Sequence, residues 1–90
     1  MKRQELLKRY RTEVGEMKEL VAEMAVLVPD VDHSRLLAAR DAFEQALEQV
    51  DEVPTNDLVV LVVHTTAVLK TMHVIREAAK KKQTAPVVQN

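Results

Sequence analysis

The residues best suited to chemistry are the three histidines, His33, His64 and His73, with the acids and hydroxyls near them. Asp57, His64 and Thr71 recur every seven residues. On a helix they would share a face and offer the carboxylate, imidazole and hydroxyl of a nucleophilic triad. A helix rises about 1.5 Å per residue, so neighbours in that series stand ~10 Å apart, too far for hydrogen bonds. His73 and Glu77 lie at i and i+4 and could both face one metal ion. Two such ligands make a weak site, because zinc takes three or four from the protein. A polar pair on a helix surface is the expectation. His64 and His73 are nine residues apart, which does not place them on one face. His33 falls in a connection and reads as a solvated loop residue. No catalytic residue, cofactor, metal or small-molecule substrate is therefore expected, and the chain reads as non-enzymatic.

Charge is the second possible source of function. The net charge is only −1, but it is segregated. Residues 1–12 carry five bases and one acid, residues 13–57 three bases and twelve acids, and residues 58–90 five bases and one acid. Asp41, Glu44, Glu48 and Asp51 repeat at three- and four-residue steps, a candidate face for a charged partner. The basic ends, Lys2, Arg3, Lys8, Arg9 and Arg11 with Lys80 to Lys82, could touch phosphates. No aromatic platform accompanies them, and nucleic acid is not expected as a partner.

Composition narrows the fold. Cysteine is absent, which removes disulfides, thiolate metal sites and a thiol nucleophile. Tyr10 and Phe43 are the only aromatics, and one glycine with three prolines offers few turns. The longest unbroken apolar run, Leu58 to Val63, is far short of the ~20 residues of a membrane span. No membrane association and a cytoplasmic location are expected.

The elements that position these residues follow from apolar spacing. The pattern predicts an all-α fold of three amphipathic helices, about 3–28, 34–52 and 56–82, forming a small bundle. Residues 1–82 form one domain and 83–90 a flexible tail. In the first helix Leu7, Tyr10, Val14, Met17, Val21, Met24 and Val28 alternate steps of three and four, a heptad seam. Leu6, Leu20 and Leu27 widen it, which calls for two packing neighbours. Gly15 sits beside the seam. Pro29 ends the helix by forcing its predecessor out of the α region. Asp32 or Ser34 can cap the second helix, whose apolar face runs through Leu36, Ala39, Phe43, Ala46, Leu47 and Val50. Pro54 breaks the chain again, and Asp57 suits the positive end of a third helix. That helix opens on Leu58-Val59-Val60-Leu61-Val62-Val63, a string that a buried strand would also use. Helical spacing continues through Leu61, Thr65, Val68, Met72, Ile75 and Ala79, which favours helix. A second stripe runs through Val60, Val63, Ala67 and Val74.

The expected function is a helical protein–protein interaction module, an adaptor, regulator, inhibitor or chaperone-like subunit. The apolar faces nominated to carry it are Leu7, Tyr10, Val14, Met17, Leu20, Val21 and Met24 on the first helix. On the third they are Val60, Leu61, Val63, Val68, Met72 and Ile75. A homo-oligomer is expected, a dimer foremost, with another protein as the other candidate partner. Two alternatives stand beside this. One is a nucleic-acid-associated regulator using the basic ends. The other is a small all-α enzyme of chorismate-mutase-like architecture, which needs basic side chains inside the bundle. Only Lys18, Arg35 and Arg40 lie in the central stretch, so that pattern is not met.

Overall fold

The computed structural model describes residues 2–84. The described residues are overwhelmingly helical, with no strand among them. Helix α1 spans Arg3–Leu27, α2 spans Ser34–Leu47 and α3 spans Thr55–Thr84, with a 3₁₀ turn at Val50–Glu52 before α3. The valine-rich opening of α3 is helical throughout. Each valine there costs about half a kcal/mol of helix propensity, so packing must hold the segment. α3 runs two residues beyond its expected end at 82, and the rest of the expected tail lies outside the described residues.

α1 is the centre of the bundle. It packs against α3 along its length and against the shorter α2 on a second side. Polar links between α1 and α3 join residues 52, 57 and 53 positions apart, at Arg3–Thr55, Arg9–Thr66 and Glu13–Thr66. Arg76 donates to Glu23 with the same 53-residue offset. A near-constant offset means that the two long helices run parallel and in register. α2 packs mainly on α1, and the ring of Phe43 lies 5.6 Å from that of His64 on α3. The result is a long thin body of 56 × 23 × 15 Å in which each helix keeps a face in solvent.

The core is drawn mainly from α1. Leu6, Tyr10, Val14, Met17, Leu20, Val21 and Met24 are all buried. The middle of the expected seam, Tyr10, Val14, Met17, Val21 and Met24, thus faces inward, while its ends, Leu7 and Val28, are only half-buried and the flanking Leu6 is buried instead. Two flanking helices draw the buried stripe toward the side that Leu20 also occupies. From α3 the core takes Leu58, Val62, Thr65, Leu69 and Met72. This corrects the expected stripe, in which Leu61 and Val68 prove half-buried and Ile75 exposed. Apolar residues surround the first turns of α3, so its own pattern did not decide which side would meet α1. Thr65 is fully buried, and its hydroxyl donates to the Leu61 carbonyl at 2.7 Å, which satisfies it within the helix.

The connections follow the two prolines. Val28 donates to the Met24 carbonyl, and a turn closes from Val31 to Val28. The carboxylate of Asp32 accepts the backbone N–H of Ser34 at 2.9 Å. That bond, with a second from the Ser34 hydroxyl, holds the Asp32 carboxyl below the usual carboxylate range. His33 is not a free loop residue: its Nε2 lies 2.9 Å from the Val28 carbonyl, fastening the connection to the end of α1. α2 stops at Leu47, five residues before its expected end. Its last carbonyls take tighter bonds from Glu48 and Gln49, and the 3₁₀ turn buries Val50 completely.

Candidate functional site

The side of α3 facing away from the bundle is the most unusual surface of the molecule. Leu58, Val62, Thr65, Leu69 and Met72 define the inward side. At 3.6 residues per turn, Val60, Val63, Ala67, Thr71 and Val74 fall on the opposite side. All five are exposed. Val60 is 68% exposed, Val63 65% and Val74 68%, while Val59 and Ile75 border the stripe at 43% and 41%. Five large aliphatic side chains thus stand in water on one helix. Covering each is worth roughly 1–2 kcal/mol, scaled from the value for full burial.

Two shallow hollows flank this face. One, of about 310 Å³, lies between Arg9 of α1 and Val62, Val63, Thr66, Ala67 and Lys70 of α3. The other, of about 360 Å³, is lined by Val28 and Val31 together with Ile75, Ala78, Ala79 and Lys82. Neither carries a set of convergent polar groups. Over its most apolar 18 residues α3 has a mean hydropathy of 1.8, and 28% of that window is buried inside the fold. By length and composition alone it is apolar enough to cross a membrane, a property that the unbroken-run criterion missed.

The other nominated apolar residues serve the chain itself. Tyr10, Val14, Met17, Leu20, Val21, Met24 and Met72 are 0–4% exposed, so they face the chain's own helices and no partner can reach them without opening the bundle. Of the nominated set, Val60, Val63 and Ile75 remain accessible. Ala67, Thr71 and Val74 join them; Ala67 and Val74 already lay on the second stripe of the sequence pattern.

The acidic stripe is divided. Asp41, Glu44 and Glu48 line a shallow polar depression of about 200 Å³ on α2. Two of them meet bases of the same chain: Arg40 lies 2.8 Å from Asp41, and Lys18 lies 3.6 Å from Glu44. Asp51 leaves the stripe because the helix ends before it. It pairs with Arg11 at 2.8 Å, and its carbonyl accepts from Arg3 at 2.7 Å. Three bases of the amino-terminal cluster are thus held by the protein, since Arg9 also pairs with Glu13.

The chemical constellations do not assemble. Thr71 donates to the Ala67 carbonyl, His64 stacks beside Phe43, and Asp57 is exposed two turns before it. His73 turns to Glu16 of α1 at 3.6 Å, while Glu77 pairs with Arg76. Among the described residues no three His, Cys, Asp or Glu side chains come together as a metal site. A small network that the sequence did not signal joins α1 to α3. The Thr66 hydroxyl donates to Glu13 at 2.8 Å and accepts from Arg9 at 3.2 Å. Its members are ordinary surface residue types, and only the parallel pairing of α1 with α3 brings them together. The chain matches no family model, no curated protein and no solved structure.

Proposed function

We propose that this protein is a non-enzymatic helical interaction module whose working surface is the outward face of α3. The observation that carries the reading is Val60, Val63 and Val74, each about two-thirds exposed on the side of α3 opposite the core. A surface helix normally places polar residues there. Apolar side chains lined up in water mark a surface that another protein covers. The face is long, narrow and free of charged residues along its centre, a shape that fits another helix laid along it.

The test is affinity capture from the native host with the wild type and a Val63→Glu/Val74→Glu variant. Bound species are counted with untagged copies of the chain included. Retention of a defined protein, or of the chain itself, by the wild type and not by the variant supports the reading. Equal retention of every species by both would overturn it. Both substitutions lie outside the core, so an unchanged circular dichroism spectrum provides the folding control.

A further inference from the structure

The outward face of α3 has the same order of side-chain shapes in both directions from Ala67. Val60 and Val74 lie seven residues to either side, Val63 and Thr71 four, and Val59 and Ile75 eight. Valine and threonine are nearly the same shape, so the face is close to a palindrome. Exposure follows the same symmetry. Val60 and Val74 are both 68% exposed, and Val59 and Ile75 are 43% and 41% exposed.

A two-fold interface requires such a pattern, because residue i must face residue j while j faces i. We propose that two copies of this chain pair antiparallel along the outward faces of α3, crossing at Ala67. This rests on reading that face as an interaction surface. The smallest side chain of the stripe then sits where the two backbones come closest. Val60 and Val63 of each copy lie against Val74 and Thr71 of the other.

Charge selects the second copy and its direction. Asp57 stands in the first turn of α3, with Glu52 in the 3₁₀ turn just before it, and Lys81 and Lys82 stand in the last turn of α3. Antiparallel pairing brings the acidic end of one copy beside the basic end of the other and opposes the helix dipoles. A parallel pair would set acids beside acids and lysines beside lysines. Lys70 borders the face, where its aliphatic stem can lie along the valines with the ammonium in water. From Val59 to Ile75 the stripe is about 24 Å long at 1.5 Å per residue. Two such stripes bury on the order of 1,000 Å² in total, below the ~1,200–2,000 Å² of stable specific interfaces, so a weak, reversible dimer is expected.

The absence of cysteine makes the register directly testable. Under mild oxidation an Ala67→Cys variant is expected to cross-link to itself. Val60→Cys alone and Val74→Cys alone are expected not to, because their copies stand about 21 Å apart across an antiparallel pair. A mixture of the two single variants is expected to cross-link. Sedimentation of the wild type should pass from monomer to dimer through the micromolar range, and Val63→Lys should raise the dissociation constant at least about tenfold. A wild type that stays monomeric at millimolar concentration overturns the proposal. So does self-cross-linking of Val60→Cys as fast as that of Ala67→Cys, which would mean a parallel pair. Binding of monomers to phosphatidylcholine–phosphatidylserine vesicles, lost in Val63→Lys, would assign the face to a membrane and overturn it too. A monomer that still captures a different protein through this face sinks the dimer and leaves the proposed function standing. A monomer that captures nothing sinks both.

Discussion

The hydroxyl of Tyr10 on α1 donates a 2.6 Å hydrogen bond to the main-chain carbonyl of Phe43 on α2. Tyr10 has no exposed surface, so this bond is how the largest buried side chain of the core satisfies its polar atom. It also fixes where along α1 the shorter α2 docks. Phe43 is the buried residue that α2 contributes, so a shift of one turn would break both the bond and the packing.

Alkaline pH should destabilise the protein through Tyr10. Burial disfavours the phenolate and pushes its pKa from 10.0 up to about 12. Between those values the folded chain keeps a proton that the unfolded chain has released. The contribution is therefore full below pH 10 and is lost as pH rises toward 12. At ~1.4 kcal/mol per pH unit the loss is on the order of 3 kcal/mol. Urea unfolding across this range should show the decline in the wild type. Tyr10→Phe should cost about 1 kcal/mol at neutral pH and show a much smaller alkaline decline. Parallel curves for the two proteins would contradict the assignment.

Leu58 and Val60 are two residues apart and should respond oppositely to truncation. Leu58 is fully buried, so Leu58→Ala opens a cavity and costs about 2–5 kcal/mol. Val60 faces water, and Val60→Ala gains helix propensity, so its effect on a dilute monomer should stay within about 0.5 kcal/mol. Urea midpoints measured well below any dimerisation range will decide. Equal costs would mean that the helix is rotated from the orientation described.

The Glu13–Thr66 bond should behave as a coupled pair between α1 and α3. Its 2.8 Å length and the half-buried position of both residues place it above an exposed contact in strength. A double-mutant cycle of Glu13→Ala and Thr66→Ala should return a coupling of about 0.5–1.5 kcal/mol. Additive effects would show that the bond is not maintained in solution.

Gly15→Ala should stabilise the protein. Gly15 is in the middle of α1 with an ordinary negative φ, and a Cβ built there meets nothing within 4 Å. Alanine gains up to about 1 kcal/mol of helix propensity at such a site. The expected result is a thermal midpoint several degrees higher. A lower midpoint would show that the position is covered by something other than water.

The three helices and their proline boundaries were legible in the sequence because α-helical spacing and proline stereochemistry are local properties. The seam of α1 was legible too, since its apolar residues and the adjoining Leu6 and Leu20 gather on one side of the helix and charged residues on the other. α3 gave no such choice. With apolar residues all round its first turns, Leu58, Val62 and Leu69 were indistinguishable from Leu61 and Val68 until α1 lay along one side. The stripe of Val60, Val63, Ala67 and Val74 could be read from the pattern, but whether it formed core or surface could not. That was settled by length: α2 ends at Leu47 and is too short to cover a second side of the 30-residue α3. Polar pairing between elements was likewise decided by the tertiary structure. Asp51, Glu13 and Glu16 take partners from elements forty or more residues away, and no local spacing encodes such meetings. Helix formation depends on neighbours within a turn, whereas which face is buried depends on what other helices remain to cover it.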